Sequence, residues 1–146
     1  MNNILVRSFV VVMLSVFAMA SFAESKPLFV KNGAVIKGYD TVAYFTQGKA
    51  VKGDKAITAT YLGETWRFSS QENKELFVAD PAAYAPQYGG YCAFAMANDN
   101  IAPIDPEAFT IVEGKLYLNY SKKVRTRWQK DTAGYIADAD GFWVNK

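Results

Sequence analysis

The chain of 146 residues contains no histidine and a single cysteine, Cys92. Without histidine there is no imidazole general base, no catalytic triad that uses one, and no His/Cys zinc site within one chain. One thiol cannot close an internal disulfide. A charge of one sign is missing too: 16 Lys and Arg face 14 Asp and Glu, a formal +2. A near-neutral domain lacks the clustered basic face that nucleic acid requires. No low-complexity tract, linker-like run or internal repeat stands out in the sequence. What is present is apolar: 51% hydrophobic and 15% aromatic residues, too rich for a disordered chain. The length suits one compact domain, not two.

Residues 1–23 carry the pattern of a secretory signal peptide. A short opening with Arg7 precedes an apolar stretch from Ser8 to Ala20, and Ser21 and Ala23 supply small residues at −3 and −1. The apolar stretch falls short of the about 20 residues a membrane span needs. The expected mature chain starts at Glu24, loses one cation, has no transmembrane segment and is exported, to a bacterial periplasm or outside the cell. Residues 24–33 read as an N-terminal extension and 34–146 as the domain.

Two hairpins are legible. Ala56–Tyr61 and Thr65–Phe68 alternate in the strand manner around Gly63-Glu64, with Trp66 and Phe68 on one face and Arg67 on the other. Thr110–Val112 and Lys115–Tyr120 flank Glu113-Gly114. Ser69 with Glu72 fits a capping box for a short helix containing Leu76 and Phe77. Asp80-Pro81 and Asp105-Pro106 read as capped turns. Val124 and Trp128 share a helical face, with Lys122, Lys123, Arg125, Arg127 and Lys130 on the rest. Ile136, Ala139 and Trp143 mark a last helix. The expected fold class is α+β: a small antiparallel sheet of β-hairpins packed with short helices and a C-terminal helical segment.

The densest unusual segment runs from Tyr84 to Ala97 and holds Tyr88-Gly89-Gly90-Tyr91-Cys92. The glycines admit close approach of another group. A short helix from Cys92 would place the thiol in its first turn, where free N–H groups favour a thiolate. Cys92 and Met96, four apart, could share a face and suit Cu(I). Against this, free cysteine is among the most buried residue types, and Ala93, Phe94, Ala95 and Ala97 look like packed core. The tyrosines, Tyr44 among them, either line a pocket or fill the core. Asp40 precedes the apolar run Val42–Phe45 and can bind its own turn backbone. Asp80 and Asp105 are explained as caps, Asp138 and Asp140 as surface, and the basic helix as a solvated face.

Gly38-Tyr39-Asp40-Thr41-Val42-Ala43-Tyr44-Phe45 resembles the opening of exported YHS-domain proteins. The resemblance runs on through Tyr61–Asn73, Asp80–Ala93 and Gly114–Tyr120, covering nearly all of 34–143. It implies the fold, and in the wider YHS group a metal held by cysteines. Tyr61-Leu62-Gly63 matches that group's Tyr-x-Gly. Ile57-Thr58-Ala59 stands at its Tyr-His-Ser, and Ser69 and Asn73 stand at its two cysteines. Every soft ligand of that site is absent, so its metal is not carried over. The leading expectation is an exported, soluble, non-catalytic binding domain. Its ligand, copper being the first candidate, is centred on Gly89, Gly90, Tyr91 and Cys92, with Asp40 and Tyr44 nearby. The alternatives are a thiol-based redox or peroxide-reactive protein using Cys92, and a structural interaction module.

Overall fold

Three two-residue turns organise the chain. The structure is a computed structural model describing residues 25–146, so the expected leader lies outside the described residues. β1 (Val30–Lys31) and β2 (Ala34–Val35) turn at Asn32-Gly33. β3 (Asp54–Tyr61) and β4 (Glu64–Phe68) turn at Leu62-Gly63, and β5 (Asp105–Val112) and β6 (Lys115–Asn119) at Glu113-Gly114. Both residues of every turn have positive φ, for example 52° and 78° at Leu62 and Gly63. That geometry matches the right-handed twist of the flanking strands. The turn thus falls one residue before the expected Gly63-Glu64. The three antiparallel pairs form three separate two-stranded sheets, and with the helices they make an α+β fold. The first hairpin runs across the expected boundary between extension and domain; its Asn-Gly turn was the signal for it.

The helices are α1 (Ala43–Thr46), α2 (Gln71–Ala79), α3 (Pro81–Tyr84), α4 (Ala93–Met96), α5 (Lys122–Trp128) and α6 (Thr132–Trp143). Ser70, not Ser69, caps α2, accepting from Asn73 N–H at 3.1 Å. Asp80 precedes α3 with Pro81 at its first position, but its side chain makes no cap hydrogen bond. Asp105 opens β5 rather than a helical turn, and its carboxylate accepts from Glu107 N–H at 2.9 Å. None of the described helices is long and apolar enough to cross a membrane.

The structure overturns the absence of a repeat. The chain builds one plan twice, 51 residues apart. Asp54 pairs with Phe68 and Thr58 with Arg67 across a register shift; Asp105 pairs with Asn119 and Phe109 with Leu118 across the same shift. Ser70 and Ser121 cap the following helices alike, each at 3.1 Å. Asp80 and Asp131 follow those helices with φ of −153° and −154°. Upstream, three left-handed residues end in Gly-Tyr in both units: Ile36-Lys37-Gly38 before Tyr39, and Tyr88-Gly89-Gly90 before Tyr91. There the offset is 52, because the second unit has one residue fewer in the loop before its hairpin.

Two apolar clusters form: the first draws on both units, since Cys92, Ile104, Leu116 and Leu118 join it, and the second lies within the second unit. The first centres on Tyr44, Trp66, Phe68 and Phe77, with Trp66 and Phe77 rings 4.9 Å apart. The second centres on Tyr88, Met96, Tyr117 and Trp128. Burying one such large side chain contributes about 1.5–3 kcal/mol. Trp66 and Phe68 point inward as alternation requires, and Arg67 points the other way, donating to Asn32 O at 2.9 Å. Val124 packs against the first cluster and Trp128 is fully buried, so α5 presents the apolar face expected of it. Its cations are not all merely solvated: Arg125 and Arg127 lie over the Phe109 and Phe94 rings, at 5.8 and 5.7 Å.

Candidate functional site

Asp40 and Cys92 occupy the same place in the two units. The N–H of Asp40 donates to Val51 O at 2.8 Å, and that of Cys92 to Ala102 O at 3.0 Å. Both side chains then tie the start of a helical turn to the residue that follows the last strand. Asp40 Oδ1 accepts from Val42 and Ala43 N–H at 2.9 and 3.2 Å. Its Oδ2 accepts from Ser69 N–H at 2.8 Å, Ser69 Oγ at 2.6 Å and Asn73 Nδ2 at 2.8 Å. The carboxylate is fully buried, with no cation and five donors. Asp40 therefore binds its own turn, as expected. It also gathers Ser69 and Asn73, the residues standing where cysteines are implied by the resemblance.

Cys92 is the N-cap of α4, one position ahead of the expected first turn. Its sulfur accepts from Ala95 N–H at 3.5 Å and Tyr120 N–H at 3.2 Å, and the thiol donates to Asn119 Oδ1 at 3.6 Å. Asn119 Oδ1 also takes Phe94 N–H at 3.1 Å, which fixes the amide's orientation. Cys92 is 1% exposed. Burial pushes its pKa up, opposed by the N–H groups of Ala95, Tyr120 and Phe94. The amides around the sulfur are those that sequence reasoning foresaw, but the atom is sealed. Cys92 packs into the first apolar cluster and Met96 into the second, so the structure does not offer the two sulfurs on one open face. Among the described residues no group of three or more Cys, Asp or Glu is placed to hold a metal ion.

Gly89 and Gly90 do serve a close approach, and the approaching group is the chain itself. Phe29 N–H donates to Gly89 O at 2.8 Å. A Cβ at Gly89 would run into the Pro27 carbonyl, and one at Gly90 would lie 2.7 Å from Ile36 Cγ2. Tyr91 donates to Leu28 O at 3.3 Å and is half-buried. Tyr44 is core: its hydroxyl donates to Pro106 O at 2.9 Å, and burial raises its pKa. Asp40 and Cys92 share no polar partner, so the expected site divides into two equivalent anchors.

Open space lies elsewhere in the same plan, between each hairpin turn and the helix after the Asp cap. The first cleft, about 250 Å³, is bounded by Tyr61, Leu62, Ala82, Pro86, Gly89 and Trp143. Lys26 Nζ donates to Trp143 O at 2.7 Å and sits 5.3 Å from that ring's centre. The second cleft, about 440 Å³, is bounded by Val112, Glu113, Ala133, Ile136, Ala137 and Asp140. Val112, Glu113 and Ala133 lie 51 residues after Tyr61, Leu62 and Ala82; the remaining walls differ, since Pro86 and Gly89 lie past the end of α3 whereas Ala137 and Asp140 lie within α6. Tyr88 joins the clefts: it lines the first and donates to Asp140 Oδ1 at 2.9 Å. Burial and then Asp140 raise its pKa. Asp140 is exposed, as expected, yet it has this bonded role. The first cleft touches the predicted centre through Gly89 alone; Tyr88, Lys26, Trp143, Glu113 and Asp140 were not among the expected site residues. No pattern in the sequence singles these residues out; the pair Gly38-Tyr39-Asp40 and Gly90-Tyr91-Cys92 marks the repeat alone.

The family model of the YHS domain matches residues 42–88. The match takes in α1, the β3–β4 hairpin, α2 and α3, and stops before the second unit's Gly90-Tyr91-Cys92. It is shorter than the 34–143 over which the resemblance ran. No curated protein and no solved structure matches the chain.

Proposed function

From the premise that this chain is a YHS domain-containing protein, we propose that it is an exported, non-catalytic binding domain. Its ligand site is the first cleft, beside Tyr88 and Gly89. The observation that carries this reading is the cleft's wall: Tyr61, Leu62, Pro86 and Trp143 are apolar or aromatic, and Lys26 and Gln87 stand among them as the polar groups. Such a lining suits a small neutral aromatic or aliphatic molecule, with the polar groups fixing its orientation. Cys92 supports binding less well than the cleft does, because a ligand or oxidant would first have to open a packed cluster. A Cu(I) site using Met96 as well would have to open both.

Titration with indole tests the reading. Trp66 and Trp128 are fully buried, so Trp143 is the indole side chain that a ligand in the cleft touches. Saturable amide shifts at Tyr61, Leu62, Gln87 and Trp143 are expected, and shifts spread evenly over the surface would reject the cleft. Export is checked separately. Protein recovered outside the cytoplasm should begin at Glu24, and a chain retaining residues 1–23 would remove export from the proposal.

A further inference from the structure

The total charge predicts no clustered basic face, yet α5 and the turn after it carry one. Of the 16 Lys and Arg, five lie between Lys122 and Lys130 with no acid among them; the other 11 face all 14 Asp and Glu. At about 100° per residue, Lys122, Thr126, Lys130, Lys123 and Arg127 fall within an arc of about 140°. Every residue of that arc is exposed, while Val124 and Trp128 hold the opposite side of the helix in the two apolar clusters. None of these cations is in an ion pair; among the described residues the one salt bridge joins Lys146 to Asp99. Arg127 is steadied by the Phe94 ring beneath it.

Helix stability does not account for this face. Lys122 and Lys123 stand in the first turn of α5, which has no acidic residue, and there the helix dipole opposes a cation. Lys123 and Arg127, four apart, add repulsion between like charges. An external anionic surface turns both penalties into attraction. We propose that this face of α5 docks on an anionic phospholipid surface. Charge complementarity sets the sign, and composition selects the partner. The arc has no apolar or aromatic residue to form the buried centre of a protein interface, and lysine is depleted at such interfaces. Headgroups need no buried centre, since each Lys or Arg near an anionic bilayer adds its own attraction. Tyr120, 56% exposed, stands two residues ahead of Lys122 and is of the aromatic type that settles at headgroup level.

The proposal takes from the functional reading only the exported form, and its test is independent of the cleft. The chain from Glu24 is sedimented with vesicles, because the apolar leader would bind lipid by itself. The vesicles are phosphatidylcholine alone, or equal parts phosphatidylcholine and phosphatidylglycerol. The mixed vesicles should bind at least about a hundredfold more tightly, and less so as salt is raised. Lys122→Gln with Lys123→Gln should weaken that binding by about twentyfold and leave the melting temperature unchanged or higher. Lys49→Gln with Lys55→Gln, the same charge change at exposed lysines of the first unit, should weaken it by less than about threefold. Equal losses from the two pairs, equal binding to neutral vesicles, or a fall in melting temperature that matches the loss of binding would overturn the lipid face. Binding to polyglutamate or to a DNA duplex as tight as to the mixed vesicles would also overturn it. Indole failing to bind would reject the cleft and leave this result standing.

Discussion

The two units perform one structural task with different chemistry. In the first, a carboxylate joins turn to strand end; in the second, a thiol does so from the equivalent position. Asp40 brings a charge into a dry interior, and that charge needs many donors. The first unit supplies them with Ser69 Oγ and Asn73 Nδ2 besides three backbone N–H groups. Cys92 brings no charge, and its sulfur accepts from two amides while the thiol donates to Asn119. Where the first unit has Ser69 and Asn73, the second has Tyr120 and Val124, which give the sulfur no side-chain donor. The anchor's charge therefore sets how polar its surroundings must be, while the backbone plan stays fixed.

The hardest way to break this comparison is to remove the anchors. Asp40→Ala strands five donors in a buried space and should cost about 3–5 kcal/mol. Cys92→Ala loses weaker sulfur bonds and leaves a small void, for about 1–2 kcal/mol. Urea midpoints of both variants measure the difference. Equal losses would mean that the units do not differ in the way their donors suggest.

The Gly-Tyr turns give the next largest effect. Gly89 has φ +63° and its Cβ would meet the backbone carbonyl of Pro27, which cannot swing aside. Gly38 has φ +78°, but its Cβ would lie 2.8 Å from Nη1 of Arg67, the end of a flexible side chain. Gly89→Ala should therefore cost about 3 kcal/mol and Gly38→Ala about 1–2 kcal/mol. Thermal melts of the pair check the order. A Gly38 variant as unstable as the Gly89 variant would show that left-handed backbone strain, not the neighbour, dominates.

These positions also explain what the sequence could and could not disclose. The β3–β4 and β5–β6 hairpins and the helices α2, α5 and α6 are written in alternation, Gly turns and 3.6-residue spacing, and they formed where those patterns lie. The repeat was hidden because the residues kept between the units are those that force backbone: Gly38 and Gly90, Gly63 and Gly114, Ser70 and Ser121, Asp80 and Asp131. Core identities changed, with Trp66 answering to Tyr117 and Phe77 to Trp128, so apolar pattern alone carried no period of 51. The α2 cap was misplaced by one because Ser69 and Ser70 have the same propensity. Only the approach of Asp40 across 29 residues of chain assigns Ser69 to the carboxylate. The clefts were invisible for a similar reason: their walls come from turns and helices far apart in sequence.

Alkaline pH sharpens the comparison more gently. Cys92, Tyr44 and Tyr88 are neutral when protonated, and their folded pKa values lie above the usual 9.0 and 10.0, chiefly through burial. The stability each gives is full below the unfolded value and is lost as pH rises toward the folded one. Between about pH 9 and 10 the loss comes from Cys92 in the second unit, and above that the tyrosines join in. Each group contributes a slope of about 1.4 kcal/mol per pH unit. Urea midpoints taken through this range should fall in two stages, and Tyr44→Phe should flatten the second. A single fall beginning below pH 8 would contradict the burial of the thiol.

The smallest effect is the most discriminating for Cys92. If the sulfur is chiefly a cap, serine should replace it, since a hydroxyl is the better acceptor for an N-cap amide and fits the space. Cys92→Ser should change stability by less than about 1 kcal/mol and leave indole binding at Trp143 untouched, because Cys92 does not line that cleft. It should also abolish the first stage of the alkaline fall. Wild-type Cys92 should react with iodoacetamide only as fast as the native state opens, so the rate should rise with urea before the global midpoint is reached. A thiol alkylated quickly at neutral pH in the folded chain, or a serine variant that folds but no longer binds its ligand, would return the function to the sulfur. The second unit's anchor would then have departed from the first in purpose as well as in chemistry.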